Sequence, residues 1–164
     1  MSIKQRITSA YRYIEPNLFF IGLFGFLGFP AYYLIWAYVF PQPYENLPLR
    51  LVCAALFLPF AIKNHMPSLF SRYKEKHFVF TICFCLPFFF CYMMIRNEWS
   101  VEWIMSFMAA IFLSIIIIYD WLIILICTTI AACSAALLGY LSMDNIGIGF
   151  HYSYLIVFSF SYFT

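Results

Sequence analysis

The chain has 164 residues, of which 65% are hydrophobic and 23% aromatic, while only 10% carry charge. Soluble domains are about 45–50% apolar, so a mean hydropathy of +0.90 excludes an ordinary water-exposed fold. The net charge of +2 says little about nucleic acid, because membrane topology accounts for the basic residues, and no nucleic-acid partner is expected.

Lys4, Arg6 and Arg12 precede the first apolar run. A helix crossing the hydrocarbon core needs roughly 20 apolar residues. The first candidate runs from about Leu18 to Phe40, entered through Glu15-Pro16-Asn17 and closed by Pro41-Gln42-Pro43. Proline at those points is expected to punctuate both ends. Pro30, near Gly22, Gly25 and Gly28, marks a kink or a close-packing site. The run exceeds the ~7–15 residues of a signal-peptide core and lacks small residues at its end.

A second, shorter candidate covers 47–62, and the basic stretch Lys63 to Lys76 follows with Lys63, Arg72, Lys74 and Lys76. The third runs over 77–95 and is closed by Arg96-Asn97-Glu98, with Pro59 and Pro87 as further kink positions. From Trp103 to Ser142 one charge, Asp120, interrupts the apolar sequence. One helix of that length would be about 60 Å long, twice the ~30 Å core. Two helices, 103–118 and 122–142, with a tight turn at Tyr119-Asp120-Trp121, fit better. After a polar loop from Met143 to Gly149, a sixth apolar run covers 152–164.

These spans imply an all-α, polytopic membrane protein with six transmembrane helices in one domain over residues 1–164. An N-terminus in the cytoplasm places seven of the nine Lys and Arg residues there, as the positive-inside bias requires. The sixth run is too short to cross, so the chain is expected to continue into the cytoplasm.

Chemistry-bearing residues are sparse. Cys53, Cys83, Cys85, Cys91, Cys127 and Cys133 all fall inside expected spans. Cys83 and Cys85 diverge by about 200° on a helix, so all six are read as small hydrophobes. His65, His77 and His151 are scattered without metal-ligand spacing, so no metal and no cofactor are expected. No nucleophile with a base, phosphate loop or paired buried carboxylates emerges, so no catalytic residue is assigned. Glu15, Asp120, Glu98 and Glu102 lie near span ends, which argues against an ion-coupled transporter.

In the fourth span Trp103, Ser106, Phe107, Ala110 and Ser114 share one helical stripe. Such a stripe serves helix packing, or forms a pocket wall with an aromatic surface and a hydroxyl for a ligand oxygen. In the sixth, Phe158, Ser159, Phe160 and Ser161 alternate ring and hydroxyl, as lipid-facing or packing residues also do.

Longer strings carry a resemblance. Glu15-Pro16-Asn17-Leu18, Gly25-Phe26-Leu27-Gly28-Phe29-Pro30-Ala31-Tyr32-Tyr33 and Phe40-Pro41-Gln42-Pro43-Tyr44-Glu45-Asn46-Leu47 resemble the sensor region of cholera-type quorum-sensing histidine kinases. So do Phe84-Cys85-Leu86-Pro87-Phe88-Phe89-Phe90 and Trp103-Ile104-Met105-Ser106-Phe107-Met108-Ala109. The resemblance implies an inner-membrane receptor domain, homodimeric and surrounded by lipid, that binds a hydrophobic α-hydroxyketone autoinducer. It implies control of an attached cytoplasmic histidine kinase, whose phosphotransferase chemistry lies outside this chain. The implied ligand residues are Trp103 and Ser106, with Phe107 beside them, and Phe158 and Phe160. Where the family pattern places a further aromatic, this sequence has Thr164, which bears on tail-length preference. The competing expectations are a small transporter or channel, which would show a polar midplane, and a membrane anchor that senses nothing.

Overall fold

The computed structural model describes residues 2–62 and 73–142. The expectations for Phe158, Phe160, His65, His151 and the sixth span lie outside these residues. Among the described residues the structure is helical, without strands. Helices α1 (Ile3–Ile14), α2 (Leu18–Leu34), α3 (Leu47–Ala61), α4 (Lys74–Cys83), α5 (Phe89–Arg96), α6 (Val101–Ile118) and α7 (Trp121–Leu141) follow in order. Among the described residues four continuous stretches are long and apolar enough to cross a membrane: Ile3–Val39, Lys74–Arg96, Val101–Ile118 and Trp121–Gly139. Leu47–Ala61 is shorter, at 15 residues. Phe20, Phe24, Leu27, Phe112, Ile116, Ile130 and Leu137 are each more than half exposed. Rings and aliphatic chains presented outward on several helices suit hydrocarbon, not water.

The first unit, Met1–Ile82, differs from the sequence expectation at its start. Helix α1 forms where only a basic leader was expected. Ser2 caps it: Gln5 N–H donates to Ser2 Oγ at 3.3 Å, and Ser2 N–H donates to Gln5 Oε1 at 2.9 Å. This reciprocal box satisfies two backbone donors that a helix start would otherwise strand. Ile3, Ile7, Ala10 and Ile14 recur on one face, and Ala10, Tyr11 and Ile14 are buried. Pro16 does not punctuate the helix as expected. It sits in the first turn of a 3₁₀ segment, Glu15–Asn17, where a missing N–H is tolerated, and the chain continues into α2. Likewise α2 carries Pro30 internally and widens into a π segment, Ile35–Val39.

Helix α2 packs on α3 at glycine positions. A methyl on Gly22 would lie 2.7 Å from the Phe60 carbonyl carbon, so only hydrogen fits there. Beneath, Phe60 meets Phe78 of α4 edge-on at 6.2 Å, and Phe78 meets Tyr11 at 5.8 Å. His77 Nε2 is 3.0 Å from the Leu56 carbonyl, which Thr81 also reaches at 3.4 Å. Thr8 Oγ1 donates to Glu75 at 2.7 Å, and Lys74 Nζ donates to Glu15 at 3.2 Å. The N-terminal helix and the end of the basic stretch therefore lie at one end of this unit. At the other end, Asn46 caps α3 by accepting from Leu49 N–H at 2.9 Å.

The second unit, Cys83–Thr164, is built from a π segment (Phe84–Phe88, containing Pro87), α5, α6 and α7. A tight link, Asn97–Ser100, joins α5 to α6, with Glu98 and Trp99 at φ 52° and 62°. Tyr119 ends α6 in the left-handed region, at φ 59°. Asp120 then accepts from Leu122 and Ile123 N–H, both at 3.1 Å, and starts α7. The turn is where the lone charge of this stretch placed it, and its carboxylate caps the start of α7. Three contacts fix the register of the stretch from the end of α4 through α5 against α7. Cys83 pairs with Cys127, Ile95 lies against Gly139, and Arg96 Nη1 donates to the Ser142 carbonyl at 2.6 Å. Both sets of numbers rise together, so the two helices are parallel and α6 runs opposite to both.

Candidate ligand site

The stripe on α6 gathers as its spacing predicts. Trp103 is fully buried, Phe107 is 1% exposed, and Ala110 and Ser114 are buried below them. The Trp103 ring lies 6.3 Å from Phe90, in the 4.5–7 Å range where aromatic rings attract. Ser106 stands at the margin, half-buried, and its hydroxyl donates to the Glu102 carbonyl one turn back at 2.7 Å. That bond uses its proton and leaves its oxygen lone pairs free to accept. Ser114 likewise donates to Ala110 at 2.8 Å. Trp103, Ser106 and Phe107 are thus brought together on one helix.

Sequence reasoning missed three features of this unit. Phe90 partners Trp103 across helices, although they are far apart in sequence. Phe84, Phe88 and Tyr92 form a ladder of rings stacked at 4.8 and 6.3 Å along one helical face. Their spacing of four residues was legible. Thr128, 3% exposed, has a hydroxyl without a hydrogen-bond partner among the described residues. Other hydroxyls on α7 behave differently: Thr129 donates to Leu125 and Ser134 to Ile130, both at 2.7 Å.

The expectation for the cysteines needs correction. Cys83 and Cys127 are joined in a disulfide with Cα atoms 5.6 Å apart. The divergence of Cys83 from Cys85 excluded a bond within one helix but not one between helices. Cys53, Cys85, Cys91 and Cys133 form no disulfide. Among the described residues no group of three His, Cys, Asp or Glu is placed to hold a metal.

The α6 stripe is thus apolar and aromatic, edged by the Ser106 hydroxyl. Over 162 residues the chain is 44% identical to a protein of Vibrio cholerae serotype O1, the CAI-1 autoinducer sensor kinase/phosphatase CqsS. The chain is a relative of a cholera-type quorum-sensing hybrid kinase. The match takes in 95% of this chain but only 23% of CqsS, so the chain spans less than a quarter of that relative. The family resemblance read from the residues is borne out by CqsS. No protein-family model matches the chain. No solved structure matches it either.

Proposed function

We propose that this chain is the membrane-embedded receptor domain of a two-component quorum-sensing system, acting on an attached cytoplasmic histidine kinase. The observation that carries this reading is the 44% identity to CqsS over nearly the whole chain. The ligand is a hydrophobic α-hydroxyketone. Its hydroxyl donates to Ser106, its oxygenated head lies by Trp103, and its alkyl tail runs along Phe107, with Phe158 and Phe160 as further ligand residues. Each CH₂ leaving water for this surface contributes about 0.8 kcal/mol, and less when the ligand arrives from the bilayer. Trp103 and Phe107 already fill their space, so binding requires their rings to shift. A ligand that favours the shifted arrangement biases the bundle and, through it, the kinase.

The full receptor has six crossings, with Leu47–Ala61 and 152–164 added to the four long apolar helices, and an N-terminus in the cytoplasm. It is a homodimer in the bacterial inner membrane. The polar contacts tying α1 to the start of α4 support a shared side for the two basic segments.

A chimera tests the reading. The matched segment of CqsS is replaced by this chain, and kinase and phosphatase output is measured with α-hydroxyketones of graded tail length. Output that changes with one of them is expected. An active chimera indifferent to all of them would overturn it.

A further inference from the structure

Cys83 and Cys127 tie together the parallel helices on either side of α6. Cys83 lies six residues past His77, where its apolar run begins, and Cys127 six past Trp121. At ~1.5 Å per residue each sulfur lies about 9 Å past the start of its apolar run, within the hydrocarbon if both runs cross a membrane. Both residues are half-buried, and Leu125 and Ile126 beside Cys127 are 37% and 39% exposed. The bond is therefore approached from lipid. Exposure alone did not select this pair, because Cys133 is exposed and free. What selects it is the matched depth of two cysteines on neighbouring parallel helices, which brings their Cα atoms into the range a disulfide bridges.

We infer that Cys83 and Cys127 form a reversible thiol–disulfide site whose oxidant is a lipid-soluble quinone. Two S–H bonds break and one S–S bond forms. The two protons and two electrons pass to the quinone, which leaves as its quinol. A dithiol reverses the step, surrendering two protons and two electrons and closing its own disulfide. A quinone suits this depth on two grounds. It partitions into hydrocarbon, where charged water-borne oxidants do not go. Its oxygens also take up the thiol protons, so no thiolate is left in a medium that disfavours charge. The site does not depend on the receptor reading, since it needs only the helix pair and its place in a membrane.

The test uses the full chain in membrane vesicles. Vesicles are treated with a membrane-permeant dithiol, then with a short-chain ubiquinone analogue or with a charged, impermeant oxidant. The protein is denatured, alkylated and mapped by mass spectrometry. After the dithiol, peptides carrying residues 83 and 127 are expected to be alkylated. After the quinone they are expected to appear as one cross-linked pair, absent in both Cys83→Ser and Cys127→Ser. Alkylation of both residues after quinone treatment, or cross-linking of a different pair, would overturn the site. Equal cross-linking by the impermeant oxidant would overturn the assignment of a quinone.

Discussion

The Arg50 guanidinium, 1% exposed, grips the Glu45 carboxylate with two hydrogen bonds, Nε to Oε2 at 2.8 Å and Nη2 to Oε1 at 2.6 Å. The pair closes the loop before α3, and Asn46 between the two residues caps that helix. A planar fork on a carboxylate is among the stronger pairings a protein makes. Removing one partner leaves the other's charge buried. Glu45→Ala is therefore expected to cost about 3–5 kcal/mol, read as a lowered unfolding midpoint in detergent. The double replacement Glu45→Leu with Arg50→Met should recover most of that loss. A Glu45→Ala protein as stable as the parent would show the pair to be dispensable.

Gly22 and Gly28 face different surroundings on the same helix. A Cβ on Gly22 meets the backbone of α3, which cannot yield as a side-chain end can, whereas one on Gly28 meets open space. Gly22→Ala is expected to destabilise by about 1–3 kcal/mol through overpacking. Gly28→Ala should stay within about 0.5 kcal/mol of the parent. Thermal unfolding of both variants in one detergent checks the contrast, and equal midpoints would contradict it.

Much of this was legible in the amino-acid order because lipid leaves few options. Backbone groups in hydrocarbon must bond within their own helix, so apolar length reads directly as helix. Asp120 marked a turn because one charge in such a stretch belongs at an end. The errors came where tertiary context overrode local rules. Pro16 reads as a stop, yet a 3₁₀ turn carries the chain past it. The Cys83–Cys127 bond spans 44 residues, so no local spacing announces it. Its signal was equal depth, six residues into each of two spans running the same way. Trp103 and Phe107 stood out by helical period. Phe90 did not, because its place beside Trp103 depends on how α5 meets α6.

Ser106 separates ligand binding from folding better than its neighbours do. Trp103→Ala removes a fully buried ring and is expected to cost about 3–5 kcal/mol of stability, which would confound any loss of response. Ser106→Ala removes only a hydroxyl bonded within its own helix, at the margin of the packed core. Stability should change by less than about 0.5 kcal/mol. The half-maximal concentration of an α-hydroxyketone in the chimeric kinase should rise by up to about tenfold, one hydrogen bond's worth. A folded Ser106→Ala chimera with unchanged sensitivity would remove Ser106 from the site.

Thr128 offers the opposite expectation, a substitution that stabilises. Its hydroxyl is buried and lacks a partner among the described residues, whereas Ser106, Ser114, Thr129 and Ser134 all donate to a carbonyl four residues back. A buried polar group left unsatisfied costs about 1–3 kcal/mol. Valine has the same shape without the hydroxyl, and β-branching already holds the side chain in one helical rotamer. Thr128→Val should therefore raise the unfolding midpoint in detergent, by the equivalent of about 1 kcal/mol. Thr128→Ala, which trades that gain against a cavity where the methyl had been, should gain less or lose. If valine instead lowers the midpoint, the hydroxyl has an acceptor in the assembled protein, and the packing of α7 around it differs from the one described.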